Sequence, residues 1–406
     1  MKNLETLIQE LCPDGVEFVK LGDVCEIKGR IGFRGYTRKD LVSESEGAIT
    51  LSPSNIINGN IVYDKCSFIS WAKYEESPEI MAEVGDVVFT KTASVGKTAY
   101  IENMPKEMTI NPQLVLLKKF RGISKYLAYI LKTTYFQNEV KKITGVGSVP
   151  NVPQSSLAKI EIPLPPIEVQ AEIVRILDKF TSLEAELEAE LDCRKRQYEY
   201  YRDKLLSFDT VGGQEVTISK IGDIGRICMC KRIMKNQTNS ESGIPFYKIG
   251  TFGKVADAYI SNDVYEEYKK MYSYPKKGDI LMSASGTIGR TVVFNGEPSY
   301  FQDSNIVWVD NDETKVFNSY LNYYYQIIEW KTQGGTIKRL YNNLLAGATI
   351  KYPSLVEQRR IVSILDRFES LTTSLQSGLP AEIAARRKQY EHYRDKLLTF
   401  KRKGAA

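Results

Sequence analysis

Residues 197–208 read QYEYYRDKLLSF and residues 389–400 read QYEHYRDKLLTF. Ten of the twelve positions are identical; the differences are Tyr200 against His392 and Ser207 against Thr399. A match of that quality, 192 positions apart, is a repeat, and a repeat constrains the architecture before any other signal.

The repeat extends outward from there. IVRILDKFTSL (173–183) matches IVSILDRFESL (361–371), and the stretches before them are PLPPIEVQ (163–170) and YPSLVEQ (352–358). Further back, GDVVFTKTASVGKTAYI (85–101) matches GDILMSASGTIGRTVVF (278–294), and KLGDV (20–24) matches KIGDI (220–224). Each unit is a long variable part followed by a well-matched tail.

The tails read as helices. Ile173, Ile176, Phe180, Leu183 and Leu187 recur at three- and four-residue steps, and the stripe continues through Leu191, Tyr198, Tyr201 and Leu205. The corresponding residues of the second tail are Ile361, Phe368, Leu371, Tyr390, Tyr393 and Leu397. Pro163, Pro165 and Pro166 mark the start of the first helix. A helix from about Glu168 to Phe208 is roughly 60 Å long at 1.5 Å per residue, so its apolar seam calls for another such helix. The second tail departs at Ser377-Gly378-Leu379-Pro380, where Gly and Pro together predict a break or kink.

The variable parts carry short β-rich runs (GDVVFT, LVLLKKF, GDILMSA, NIVWVD) bounded by Gly, Asn, Asp and Pro, with helical pieces at 125–142 and 319–333. The expected class is α+β: two similar domains with mixed sheets, alternating with two long helices. The divisions are an N-terminal segment 1–16, a first domain 17–162, a spacer helix 163–208, a second domain 209–351 and a C-terminal helix 352–406. Residues 1–16 resemble the stretch beyond Tyr201, so the N-terminus is expected near the far end of the second helical tail.

With 406 residues, 42% hydrophobic, 26% charged and a net charge of +5, the composition is that of an ordinary globular protein; it permits a polyanionic partner without demanding one. MKNLETLIQELCPDG has no continuous apolar run, so no signal peptide is expected, and no stretch suggests a membrane span. Six scattered cysteines show no disulfide framework, which fits a reducing cytoplasm. Cys228-Met-Cys230 is one residue short of CxxC and has no second pair, so no metal site is expected. One histidine, His392, faces a tyrosine in the repeat, which argues against His-based catalysis. No P-loop, GxSxG or HExxH is present, and no carboxylate set recurs in both units. The chain is therefore read as non-catalytic.

Two loop motifs do recur. Ala93-Ser94-Val95-Gly96-Lys97 matches Gly286-Thr287-Ile288-Gly289-Arg290; each ends in Gly and a cation and is suited to a phosphate, with a plain hairpin turn as the alternative. Gly147-Ser148-Val149-Pro150-Asn151-Val152 matches Gly335-Thr336-Ile337-Lys338-Arg339-Leu340. Asn pairs bidentately with adenine and Arg with guanine, so differing chemistry at one matched position suits two readers of different sequences. A bare helix-to-strand connection is the competing reading. Candidate DNA contacts are therefore Lys91, Ser94, Lys97, Ser148 and Asn151 in the first unit, and Ser285, Thr287, Arg290, Thr336, Lys338 and Arg339 in the second. Basic clusters at Lys28, Arg30 and Arg34 and at Lys231 and Arg232 extend the list.

The chain resembles the specificity subunit of type I DNA restriction–modification systems. The resemblance covers essentially the whole length and rests on PLPPIEVQ and PSLVEQRRIV, the ILD-K/R-F helices, the QYE-x-YRDKLL-x-F endings and the opening LCPDGVEFVKLGDV. Glu168-Val169-Gln170 departs from the Glu-Gln of the second copy. The resemblance implies two target recognition domains reading the halves of a split, asymmetric duplex site. It also implies an antiparallel two-helix coiled coil as spacer, with pseudo-two-fold symmetry. Two modification subunits would dock on it, carrying S-adenosylmethionine, and a restriction subunit would carry ATP, Mg and the nuclease. A duplicated protein-binding scaffold without a nucleic-acid role is the rival class.

Overall fold

The computed structural model describes residues 4–30, 35–145, 147–208, 216–335, 338–373 and 378–404. The chain divides into two compact units, one of Met1–Leu187 with Ile383–Ala406 and one of Glu188–Glu382. The first unit is thus discontinuous, and its C-terminal piece returns to complete it.

In the first unit, Glu26–Lys28, Leu114–Lys118, Val87–Thr90 and Thr98–Tyr100 form an antiparallel sheet in that order. A second sheet runs Met108–Ile110, Gly47–Leu51, Ser67–Ser70, Leu41–Val42, with its first pair parallel. The second unit repeats the plan. Gly225–Cys228, Ile306–Asn311, Ile280–Ser283 and Thr291–Val293 make the antiparallel sheet. Thr238–Asn239, Tyr259–Ile260, Ile244–Tyr247 and Tyr300–Phe301 make the mixed one. The domains are mixed α+β. Strands such as Val87–Thr90 and Ile280–Ser283 are buried throughout, which is why they read as unbroken apolar runs.

A tyrosine-bearing helix fastens each domain to its helical arm. In Ser124–Leu131, the Tyr126 hydroxyl donates to Pro163 O (3.1 Å) and the Tyr129 hydroxyl to Asp178 (2.5 Å). In Asn318–Tyr324, Tyr320 donates to Lys351 O (2.8 Å) and Tyr323 lies 2.6 Å from Asp366. The repeated glutamine is a second fastening. Gln170 accepts from Ile123 N and donates to Pro165 O, while Gln358 accepts from Phe317 N and donates to Lys315 O and Pro353 O. Both amides are buried, so they pin the start of each arm to its domain.

The first long helix spans Ile167–Ser207, close to its expected limits. Its opening turns do not form a seam with another helix: Ile173 and Leu177 lie in the first domain's core beside Tyr126 and Ile130. Ile361 and Leu365 do the same in the second domain. Fully burying such side chains is worth roughly 1.5–3 kcal/mol each. Helix-on-helix contact begins further along. Phe180 stacks on Tyr393 within the first unit, and Glu184 pairs with Arg387; the falling partner numbers make the helices antiparallel there. Within the second unit Tyr201 stacks on Phe368.

The second tail is two helices, Leu355–Thr373 and Leu379–Leu397. Gly378 has φ +81°, and a Cβ there would lie 2.8 Å from the carbonyl oxygens of Ser370 and Leu371, so the break requires glycine. Ser377 lies outside the described residues. The expected closure of the chain is present within the first unit. Val16 N donates to Lys401 O (2.8 Å), Lys403 N donates to Val16 O (2.9 Å), and Leu398 packs in the core with Leu4.

Candidate nucleic-acid interface

Both recurring loops lie at the ends of buried strands, and the fold joins them. In the first unit Thr90 ends its strand, donates to Ser94 O (2.6 Å) and accepts from Lys97 N (2.8 Å). Ala93 (φ 64°) and Gly96 (φ 94°) supply the left-handed residues that the tight loop needs. In the second unit Ser283 donates to Thr287 O (2.5 Å) and accepts from Arg290 N (3.0 Å), with Gly286 and Gly289 at positive φ. The same hydroxyl latch therefore shapes both loops.

The second motif docks on the first. Ala93 N donates to Pro150 O, Val152 N to Lys91 O and Gly145 N to Asn151 O, at 2.8–2.9 Å. Asn151 sits on β-bridges to Thr92 and Gly145. The counterpart is built alike: Leu340 N donates to Ala284 O, and Arg339 sits on bridges to Ser285 and Gln333. Asn151 and Arg339 thus occupy one backbone position in two copies of one frame. Both are exposed. The Asn151 carboxamide oxygen accepts from Thr92 Oγ1 at 2.8 Å, which orients the side chain.

The remaining candidates fall into three groups. Ser94, Ser148, Thr287 and Lys338 are exposed on the loops, as are Lys231 (over the Tyr272 ring at 4.9 Å) and Arg232 beyond them. Other cations are engaged internally. The Lys97 ammonium donates to Pro53 O and Ile56 O, and Arg290 donates to Ile249 O while its guanidinium covers the Phe252 ring. Arg30 is 4% exposed, donates to Ile110 O and Thr109 Oγ1, and lies over the Tyr36 ring, so it braces a strand instead of forming a surface cluster. Lys28 pairs with Glu26 at 3.3 Å, and burial pushes the Lys91 ammonium below its ordinary range. Ser285 is buried and donates to Asn305. The third group, Arg34 and Thr336, lies outside the described residues.

Sequence reading missed the residues that support the loops. Gln137 donates to Gly96 O at 2.9 Å, and Trp330 packs against Gly289, where a Cβ would meet its indole nitrogen at 2.5 Å. The helical stretches align at 194 positions, which sets Trp330 opposite Phe136 and not Gln137, so the repeat carried no signal for this pair of supports.

Of the described residues, none belongs to a helix long and apolar enough to cross a membrane, and no group of three His, Cys, Asp or Glu is placed to hold a metal ion.

Fold and site together define a tandem protein, one α+β module with a paired-loop edge and a helical arm, present twice. The family model described as type I restriction modification DNA specificity domain matches residues 13–192 and 213–385, and the chain belongs to that family. A putative type I restriction enzyme specificity subunit of Haemophilus influenzae is 57% identical over 256 residues, covering 61% of this chain and 66% of that protein. The EcoR124I/EcoR124II specificity subunit of Escherichia coli is 34% identical over 270 residues, covering 60% and 64%. The aligned stretch thus spans just under two thirds of each of these relatives. A solved chain from work on complex assembly of the type I R-M system shares the fold with a TM-score of 0.60, at 20% identity, over 95% of this chain and 97% of that one.

Proposed function

We propose that this chain is the non-catalytic DNA-recognition subunit of a type I restriction–modification complex, with each domain reading one half of a bipartite duplex site. One observation carries the reading: the paired-loop frame is built twice with the same latch, yet holds Asn151 in one copy and Arg339 in the other. A constant frame with exchanged hydrogen-bonding chemistry is what two unlike half-sites require. The long helices serve as spacer, since half-sites read from one side of B-DNA lie about 34 Å apart or a multiple of that.

The arms dock two copies of one modification subunit. Supporting this, matched apolar residues are left open to nearly equal extents: Leu183 at 49% and Leu371 at 51%, Tyr201 at 39% and Tyr393 at 38%. S-adenosylmethionine belongs to those partners, and ATP and Mg to a restriction subunit, in the cytoplasm. The test is methylome sequencing of cells carrying the chain with its modification partner. Exchange of residues 17–162 should alter one half of a split methylated motif. A motif unchanged by the exchange would refute the recognition role and favour a scaffold.

A further inference from the structure

The two tyrosine fastenings differ in charge. In the first unit the Lys125 ammonium lies 3.1 Å from Asp178 and 2.8 Å from Glu102, beneath the Tyr100 ring at 5.9 Å, and Tyr129 donates to the same aspartate. In the second unit Asp366 and Tyr323 hold the places of Asp178 and Tyr129, but the repeat puts Ser319 where Lys125 stands and Val293 where Tyr100 stands. It also puts Glu369 in the place of Thr181. A lysine and a ring are lost, Glu102 gives way to Asn295, and a carboxylate is gained at Glu369.

The outcome is a cavity of about 360 Å³ walled by Glu313, Asp366 and Glu369, with Ser319, Asn322 and Tyr323 beside them. No lysine or arginine among the described residues lines it. Tyr323 Oη lies 2.6 Å from Asp366 and 2.8 Å from Glu369, and its single proton satisfies only one of the two. The other carboxylate is left to solvent or to a donor that enters the cavity, Asp366 being exposed and Glu369 partly so. Among the described residues no three carboxylates are grouped as metal ligands.

We propose that this cavity binds a primary alkylammonium group, the same group that Lys125 supplies from within in the first unit. It fits both the space that the lysine and ring vacate and the charge that surrounds it. The site is independent of the DNA reading above.

The test is thermal unfolding of the full chain with 1,5-diaminopentane or tetramethylammonium, at matched ionic strength. The primary amine should raise Tm saturably, by about 3–5 °C at ten times its half-saturating concentration, and tetramethylammonium should not. Ser319→Lys should raise the basal Tm and abolish the response. Glu369→Gln and Asp366→Asn should abolish the response without adding a cation, so the result stands if the lysine variant fails to fold. Micromolar half-saturation assigns the site to a free amine. Millimolar half-saturation, with weaker capture of the purified modification subunit by Ser319→Lys, assigns it to a lysine of that partner. Equal effects of the two cations, or a response that survives all three substitutions, would overturn the proposal. So would a Tm that climbs from pH 7 to pH 5 with no amine response, because the carboxylates then share a proton.

Discussion

The rings of Phe180 and Tyr393 stack with centroids 5.5 Å apart and planes at 26°. In the other unit the repeat exchanges the roles, with Tyr201 stacked on Phe368 at 5.8 Å and again 26°. Phe180 and Phe368 are equivalent positions, as are Tyr201 and Tyr393, so each helical arm lends one ring to each pair.

Phe180→Ala and Phe368→Ala should therefore cost similar amounts, about 1–2 kcal/mol each because both rings are only partly buried. A double-mutant cycle of Phe180 with Tyr393 should give a coupling of about 0.5–1.5 kcal/mol, and Phe180 with Phe368 none. Denaturant titrations of the single and double variants supply the values.

Gln358→Ala should be among the more damaging single changes in the second unit. It strips partners from Phe317 N, Lys315 O and Pro353 O at a buried site, at a cost of about 2–4 kcal/mol. Thermal unfolding should show a clear fall in Tm, whereas Gln389→Ala, on an exposed face, should change little.

Lys132→Gln should stabilise the first unit. Burial, with Arg394 and Lys125 nearby, pushes the Lys132 ammonium down to about 8. A lysine lowered below its unfolded value of 10.5 carries a penalty that is complete below pH 8, and stability should rise with pH between about 8 and 10.5 as the folded form sheds its proton first. The matched residue, Gln326, accepts from the Tyr198 hydroxyl and from Arg202. The equivalent Tyr390 hydroxyl is buried without a partner, and a glutamine at 132 would provide one. Tm of the variant should exceed that of the parent by several degrees at pH 7, with the gap narrowing toward pH 10.

Arg339→Ala should weaken duplex binding by about 1–3 kcal/mol and relax preference in one half-site only. Lys231→Ala should weaken binding evenly across sequences and reduce the salt slope by about one. Fluorescence anisotropy on half-site variants at several salt concentrations separates the two.

Ala93→Gly should stabilise its loop by roughly 1 kcal/mol, because alanine at φ 64° pays for a conformation that glycine adopts freely. Gly286→Ala should do the reverse at the matched position, and Tm measures both.

Much of this was legible in the sequence, and the limits have physical causes. The repeat located both long helices, the break at Gly378 and both loops, because local chemistry fixes each of them. The linking of one loop to the other at Asn151 and Arg339 was not legible, since it depends on which strand ends meet in space. Nor were the backbone-carbonyl contacts of Arg30, Lys97 and Arg290. A cation in a loop reads as a surface charge until neighbouring carbonyls, such as Pro53 O and Ile249 O, come into view. Likewise Ile173 belonged to the right stripe, but a helix's periodicity does not say whether a domain or another helix covers each turn.

The discontinuity of the first unit has a consequence in time. During synthesis the intervening Glu188–Glu382 must emerge before Tyr390, Leu397 and Leu398 can enter the first core. At 5–20 residues per second that delay is about 10–40 s. The half of the protein made first is therefore the half finished last, and a ribosome that stalls late leaves it open beside a completed neighbour.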